Sequence, residues 1–195
     1  MITIHATKKL YAHLPAAALA QPAAIANSID NPLSGWHANL ITLQRRNCVL
    51  LVHDVTRFPL IIKGLLKADY AHFDQLFADS LMNTLLKIGA SQLQLDNAAA
   101  LLASCQFDSD CNRSVQGTMN QAARDVECML GYEHLRLDEI CSYEIAKWLA
   151  HRPCTVKGQK DCIWPDKAML GLLTNSTTVK NNLVSSSDYL RSSGV

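Results

Sequence analysis

Hydrophobic and polar residues alternate along much of the first third of the chain with the period of β-strands. Ile2, Ile4 and Ala6 share one side of "MITIHATKKL", and two further runs, "WHANLITLQ" and "CVLLVHDV", flank "RRN". Because successive side chains of a strand point to opposite faces, these runs predict a first strand and then a hairpin that starts at Trp36. "FPLIIKGL" predicts a further antiparallel strand, with Pro59 at its start or on a sheet edge because proline lacks an N–H.

The hydrophobic pattern changes to a helical period at Asp69, which is a candidate N-cap. Hydrophobic residues then recur at three- and four-residue spacing: Phe73, Leu76, Phe77, Leu81, Leu85 and Ile88. The pattern predicts a helix over about 69–88, ended by Gly89 and packed on the sheet.

The second half of the chain is predominantly helical. "SQLQLD" is interpreted as a brief strand, "NAAALLASC" as a short helix and "CQFD" as another short strand. Longer helices are predicted over 111–130 and 138–151, and a last one begins at Pro165. The fold class predicted is α+β: a small antiparallel sheet of four or five strands, covered by helices on one face in two layers. Strands 36–44, 48–55 and 58–65 are expected in sequential order.

The 195 residues suffice for one domain, which is predicted to span 1–174. Residues 12–35 are rich in alanine and proline, and are interpreted as a long connection with a short helical turn. From 175 to 195 the composition turns to Ser, Thr and Asn, which predicts a flexible C-terminal tail.

Composition narrows the function classes. The chain is 49% hydrophobic and 18% charged with a net charge of +1, so it resembles a globular protein and a nucleic-acid partner is unlikely. No apolar run reaches the roughly 20 residues that span a bilayer. Seven scattered cysteines fit reduced thiols in a cytoplasmic protein. A homodimer is predicted from the apolar composition and from a strand edge near Pro59.

Neither a metal set nor a cofactor motif is found. Cys105 and Cys111 are too far apart for one loop to supply two tetrahedral ligands, and His151, Cys154 and Cys162 show no short paired spacing either. No glycine-rich phosphate loop is present. The expectation is therefore no metal and no cofactor.

The hairpin gathers polar residues at its open end. A two-residue turn at 46–47 pairs Asn39 with Asp54 and His37 with Thr56, all on one face of the sheet. A three-residue loop instead keeps His37 and Asn39 together and brings in His53, so either register sets a histidine beside an amide. Two interpretations remain: a ligand pocket or general-base site, and a hydrogen-bond network that positions a loop. The second is favoured because no nucleophile or paired-carboxylate motif accompanies the histidines.

The stretch "CNRSVQGTMNQ" places Gly117 inside a helix, on the face opposite the hydrophobic stripe. Its neighbours on that face are Arg113 and Asn120. A glycine costs about 1 kcal/mol relative to alanine in a helix interior, so a close approach by another segment or a ligand would explain it. We expect the 37–39 strand end or its connecting loop to fill the gap, and Gly117→Ala to destabilise the protein. The other interpretation is a solvated helix face on which the glycine has no special role. A phosphate at this helix start is not favoured, since two aspartates precede it.

Several motifs together resemble a family of small uncharacterised bacterial proteins, classed as a domain of unknown function and found in accessory or mobile DNA. The motifs are "TKKL", "WHANL", "RRNCVLLVHDVTRFPLIIKGLLKADY" and "CNRSVQGTMNQ", and the likeness covers roughly 1–173. The resemblance implies an α+β domain in a bacterial cytoplasm, and no activity. The motif residues are Lys8, Lys9, Trp36, His37, Asn39, Asp54, Thr56, Arg113, Ser114, Gly117 and Asn120.

Two functions follow as hypotheses. The favoured one is a non-catalytic binding or regulatory module with a polar site at the hairpin end, which would meet an unidentified small ligand or protein partner. Its candidate binding residues are His37, Asn39, Asp54, Thr56, Arg113, Ser114 and Asn120. The alternative is an enzyme, a hydrolase or transferase with His37 or His53 as general base.

Overall fold

The computed structural model describes residues 1–16, 19, 31–156 and 160–176. Five strands lie within these ranges: β1 (Ile2–Ala6), β2 (Trp36–Leu43), β3 (Arg46–His53), β4 (Pro59–Lys63) and β5 (Cys105–Asp108). The helices are α1 (Lys8–Tyr11), α2 (Phe73–Lys87), α3 (Gln92–Leu101), α4 (Arg113–Tyr132), α5 (Ser142–Ala150) and α6 over 165–176, with a 3₁₀ helix (Lys67–His72) before α2.

The described strands form one mixed sheet in the order β4-β3-β2-β1-β5. The strands β2, β3 and β4 are antiparallel neighbours in sequential order, which confirms that part of the prediction. The expectation of an entirely antiparallel sheet is wrong, because β1 runs parallel to both β2 and β5. Residues 7–35 separate β1 from β2, and such a long connection can return the chain to the same end of the sheet, as parallel pairing requires.

Helices cover both faces of the sheet, so the predicted two-layer arrangement is corrected to helices on either side. Ile2, Trp36 and Leu51 belong to one core cluster, which α2 joins from one side. Leu50 and Val52 belong to a second cluster, which α4 joins from the other side. An unbroken apolar run such as that of β3 is typical of a strand buried on both faces.

The predicted contacts of α2 are confirmed. Its four buried aromatic and leucine side chains are Phe73, Phe77, Leu81 and Leu85, and all belong to the first cluster. Phe77 meets the Trp36 ring edge-on at 5.3 Å between centroids. The helix begins a few residues later than predicted because the 3₁₀ helix takes the chain from Asp69 to its start.

The second face is apolar over one part of the sheet and polar over the other. Val52 on β3 and Ile61 on β4 are fully buried beneath α4 and α5. Thr3 and His5 on β1 and Gln106 on β5 are only half-buried. The N-terminal end of α4 therefore lies at the boundary between the apolar part and the polar part of this sheet face.

The edge of the sheet at β4 is close to α5, which contacts both β4 and α2. Ile145 and Leu149 of α5 join the second cluster, while Ala150 joins the first. Leu60 and Ile61 of β4 are fully buried. Because α5 packs against β4, less of this sheet edge is exposed than the prediction of a homodimer assumed. Self-association stays a prediction.

The segment "SQLQLD" is helical rather than a strand. Ser91 is the N-cap of α3, where its Oγ accepts from the Gln94 N–H at 3.4 Å and the Gln94 Oε1 accepts from the Ser91 N–H at 2.8 Å. This reciprocal pair is a capping box. It stabilises a helix start at Ser91, although the alternating hydrophobic pattern of the segment favours a strand. The "KKL" part of the first predicted strand likewise belongs to α1.

Other predicted elements are confirmed with shifted ends. The strand at "CQFD" is β5, and the helix at Pro165 begins at that residue. The two long helices begin at Arg113 and Ser142. Much of the alanine-rich connection and nearly all of the predicted tail lie outside the described residues. Where the chain is described, none of its helices is both long and apolar enough to cross a membrane.

The hairpin turn falls at Gln44 and Arg45 rather than at 46–47. Leu43 pairs with Arg46, so residues of β2 pair with positions earlier along β3 than predicted. Because the shift is an even number of residues, the same side chains keep the same face. Gln44 and Arg45 have φ values of 46° and 66°, as a two-residue hairpin turn of this hand requires. The Gln44 amide also binds the Leu135 carbonyl at 2.8 Å, which fixes the turn.

Glycine at Arg45 should stabilise the fold. Arg45 is exposed and adopts a left-handed conformation, in which a Cβ is unfavourable. Arg45→Gly is therefore expected to raise the free energy of unfolding by about 0.5–1 kcal/mol. Urea unfolding followed by circular dichroism measures the change. Arg45→Ala is the control, since it removes the side chain and keeps the Cβ; an equal gain in both variants would refute the explanation.

Candidate functional site

Four titratable side chains meet on the polar part of the second sheet face. His5 on β1 is level with His37 on β2 and with Asp108 on β5. His5 Nδ1 lies 2.6 Å from Asp108 Oδ1, and His37 Nδ1 lies 2.7 Å from Asp54 Oδ1. The second Asp54 oxygen is 3.5 Å from His5 Nε2. We call these four residues the His–Asp network.

The N-terminus of α4 is attached to this network through His37. The Asn112 N–H donates to His37 Nε2 at 2.7 Å. Since a backbone N–H can only donate, Nε2 carries no proton and accepts this hydrogen bond. Nδ1 therefore carries the ring proton and donates a hydrogen bond to Asp54. The Asn112 side chain caps the helix by accepting from the Ser114 N–H at 2.9 Å. His37 is thus a neutral ring with both nitrogens engaged.

The distances alone would also permit a metal ion. The candidate ligand atoms of His5, His37 and Asp54 lie within 4.8 Å of one another, as do those of His5, Asp108 and Asp110. In the first set, however, His37 has no free lone pair. In the second set, Asp108 Oδ1 already accepts from the Asp110 N–H at 3.0 Å and faces the His5 ring. Hydrogen bonding accounts for both arrangements.

His53 points to the opposite face of the sheet, where it is fully buried beside Trp36, with 4.9 Å between the ring centroids. Its Nδ1 accepts from the Thr56 hydroxyl at 2.8 Å and from the Thr56 N–H at 3.3 Å. Its Nε2 lies 3.3 Å from the Ser34 carbonyl, to which it donates. Burial lowers the pKa of His53 to about 4. The three-residue-loop alternative, which brought His53 to the hairpin cluster, is therefore wrong.

A cavity of about 690 Å³ lies beside the N-terminal half of α4. Its apolar lining includes Val52, Pro59, Ala122, Leu149 and Pro153. Its polar lining includes Arg57, Arg113, Ser114, Gln121, Asp125 and Arg152. The cavity is therefore bounded by α4, by the end of α5 and by the loop between β3 and β4.

Gly117 lies in the cavity wall, and no other segment among the described residues covers it. A Cβ added at Gly117 would meet no atom within 4 Å outside its own helical turns. The expectation that the 37–39 strand end fills this space is wrong. That strand end contacts α4 at its N-cap instead, through Asn112.

The predicted site residues do not lie together. His37 and Asp54 belong to the His–Asp network, and Thr56 is buried in the turn with His53. Arg113 and Ser114 line the cavity. The remaining two lie apart: the Asn39 Oδ1 accepts from the Thr7 hydroxyl at 2.8 Å, and Asn120 is exposed outside the cavity lining.

The sequence reasoning missed Arg57, which is 6% exposed and lines the cavity. Its φ is 60°, a conformation that is uncommon for a residue other than glycine. Its Nη2 donates to Ser114 Oγ at 3.3 Å, whereas Nε and Nη1 have no hydrogen-bond partner among the described residues. His5 and Asp108 were also missed, because only the parallel pairing of β1 brings them to His37.

The buried His53 should make the free energy of unfolding depend on pH. In the folded protein the pKa of His53 is about 4, whereas in the unfolded chain it has the ordinary value of 6.5. As the pH falls, His53 is therefore protonated in the unfolded chain before it is protonated in the folded protein. Stability from this residue is complete above pH 6.5 and is lost towards pH 4, at a total cost of about 3 kcal/mol. Urea unfolding across this range measures the slope. In His53→Gln, which cannot titrate, the slope should be shallower; an unchanged slope would count against the assignment.

Gly117→Ala should stabilise the protein, contrary to the expectation from the sequence. The new methyl group meets free space, so only the better helix propensity of alanine remains, worth about 1 kcal/mol. The melting temperature is then expected to rise by roughly 2–4 °C. Differential scanning calorimetry tests this, and a fall in the melting temperature would mean that a neighbouring segment does occupy the gap.

Comparison with known proteins supports the resemblance seen in the motifs. Neither a curated protein nor a solved structure matches the chain. A family model described as "Domain of unknown function (DUF6933)" matches residues 3–168. This range includes β2 to β5, β1 except for Ile2, the His–Asp network and the described cavity lining. The chain therefore belongs to the DUF6933 family.

Proposed function

We propose that this protein is a non-catalytic binding module whose small-molecule ligand occupies the cavity beside α4. The cavity of about 690 Å³ carries the proposal. Small-molecule pockets have volumes of roughly 300–1,000 Å³ and are lined mainly by apolar side chains, with a few polar groups that orient the ligand. The volume of this cavity lies in that range, and its apolar lining from β3, α4 and α5 adjoins polar groups that include the arginines.

Gly117 supports the same proposal. It is a helix-interior glycine with a φ in the ordinary helical range, so no turn requires it. Its position in the wall leaves space on the cavity side of α4. A ligand that lies against the helix backbone would account for a residue that otherwise weakens the helix.

The His–Asp network supports the cavity from outside rather than lining it. His37 holds the N-cap of α4 by a hydrogen bond to the backbone, and Asp54 holds the His37 ring. The polar hairpin end then acts as a positioning element, and Arg113 and Ser114 present the ligand-contacting surface. A helix fixed at its N-cap forms a rigid wall, which lowers the entropic cost of binding.

The enzymatic alternative is less well supported. A general base needs a free lone pair within reach of the substrate. The acceptor nitrogen of His37 is occupied by the Asn112 N–H, and that of His53 by Thr56. His53 also lies on the other sheet face from α4. A binding role requires no such lone pair.

The neutral fluorophore N-phenyl-1-naphthylamine is a suitable probe of the cavity, because its emission rises in an apolar environment. We expect a saturable titration with the wild-type protein. Ala122→Trp places an indole in the cavity, since Ala122 lines it, and should weaken probe binding by about tenfold or more. Glu127→Trp is the matched control: it adds the same side chain to an exposed position of α4 outside the lining.

Two results would contradict the proposal. One is the absence of saturable binding to a wild-type protein whose near-ultraviolet circular dichroism shows a folded core. The other is equal loss of binding in Ala122→Trp and Glu127→Trp, which would place the probe elsewhere. The alternative enzymatic function gains support only if catalysis is detected and is abolished by changes at His37 or His53.

A further inference from the structure

Within the described part of the chain, Arg57 is a buried charge without a matching anion. It is 6% exposed, and two of its three guanidinium nitrogens have no hydrogen-bond partner among the described residues. Arginine does not lose its proton in proteins, so it cannot escape this situation by becoming neutral. Leaving a buried charge uncompensated costs several kcal/mol. Burial also lowers the pKa of Arg57, because removal from water disfavours the charged form of the guanidinium.

Asp54 does not neutralise this charge by direct contact. One Asp54 oxygen is 2.7 Å from His37 Nδ1, and the other is 3.5 Å from His5 Nε2. Within the described part of the chain, no carboxylate lies within 4.0 Å of the Arg57 guanidinium. Asp54 attracts Arg57 only at longer range, where it opposes part of the effect of burial.

The loop between β3 and β4 holds Arg57 in place despite an unfavourable backbone conformation. The Arg57 N–H donates to the His53 carbonyl at 2.9 Å, and the Phe58 N–H donates to the Thr56 hydroxyl at 3.3 Å. A left-handed conformation is unfavourable for a residue other than glycine and persists only where its surroundings impose it. The guanidinium is therefore pre-oriented at the cavity wall.

The charged lining of the cavity is mainly cationic. It includes three arginines, Arg57, Arg113 and Arg152, and one aspartate, Asp125. Asp125 lies 3.4 Å from Arg152 Nε and is already paired. Asp108 and Asp110, which argued against a phosphate at this helix, do not line the cavity. The positive charges of Arg57 and Arg113 are therefore available to attract an anionic ligand.

We propose that the cavity binds an organic anion, with its carboxylate or phosphate beside Arg57 and Ser114 and its apolar body against Val52, Pro59 and Leu149. This inference rests on the proposed binding function and specifies the class of ligand. The Arg57 Nη2 atom donates one hydrogen bond to Ser114 and carries a second N–H. An anion here would compensate the buried charge, and charge-assisted hydrogen bonds to a guanidinium are among the stronger polar contacts. The apolar lining selects against small inorganic ions.

Two probes that share one apolar body separate the roles of charge and shape. 1-Anilinonaphthalene-8-sulfonate carries a sulfonate, whereas N-phenyl-1-naphthylamine has the same ring system without it. Arg57→Met keeps the length of the side chain and removes its charge. This variant should bind the sulfonate probe about tenfold more weakly or worse, because a charge-assisted contact is lost, and the neutral probe within about twofold.

Arg124→Met is the matched control, since Arg124 is exposed on α4 and does not line the cavity. It should leave the affinities for both probes unchanged. Near-ultraviolet circular dichroism verifies that each variant retains a folded core, because a loosened core would itself bind the sulfonate probe. Arg57→Lys, which keeps the charge, should retain more of the affinity for the sulfonate probe than Arg57→Met.

Competition identifies the anionic group. Benzoate and phenyl phosphate should each displace the sulfonate probe from the wild-type protein, and the tighter of the two shows whether carboxylate or phosphate is preferred. Neither should compete measurably with residual probe in Arg57→Met.

Failure of this inference differs from failure of the proposed function. If Arg57→Met weakens both probes equally or neither, while Ala122→Trp still blocks the neutral probe, the cavity binds ligands without anion recognition and the inference is wrong. If neither probe binds the folded wild-type protein, both proposals are wrong.

Discussion

The hydrogen bond from the Asn112 N–H to His37 Nε2 is the contact on which the arrangement of the site depends. It joins the N-cap of α4 to the centre of the sheet, and it decides which His37 nitrogen carries the proton. That choice orients Asp54, whose other oxygen faces His5. With the helix start fixed in this way, one side of α4 packs on the second core cluster while its Gly117 side faces the cavity.

The location of this contact follows from the uneven character of the sheet face. Over β2, β3 and β4 the face is apolar and α4 packs on it; over β1 and β5 it carries half-buried polar side chains. A helix that ends at such a boundary can satisfy its terminal N–H groups with sheet residues instead of water. His37 lies at the boundary and is 2% exposed, so its ring can serve both the helix end and the polar cluster.

Local patterns predicted the elements that depend on local physics. Alternation identified the three antiparallel strands, and the spacing from Phe73 to Leu85 identified α2 with its buried face. The capping box at Ser91 was present in the sequence but was given less weight than a short alternating run. The unbroken apolar run of β3 could have indicated burial on both faces, and therefore helices on both sides.

The candidate site was only partly predictable, because it is built from long-range contacts. His5 and Asp108 are 103 residues apart and meet only through parallel pairing, which leaves no signature in either segment. Arg57 resembles any loop arginine in the sequence, since its burial and its left-handed conformation are imposed by the surrounding fold. Gly117 was singled out as the mark of a gap beside α4, but a sequence cannot distinguish a gap filled by the chain from a gap left open.

The buried arginine has a consequence for how this protein can change over time. A hydrophobic side chain of similar length at position 57 would remove a desolvated charge from the interior, and such replacements often increase stability. Thermal robustness and the proposed recognition of an anion therefore favour different residues at the same position. A library selected only for resistance to heat would tend to lose Arg57, and its most durable members would be folded proteins that lack the buried charge of the proposed anion site.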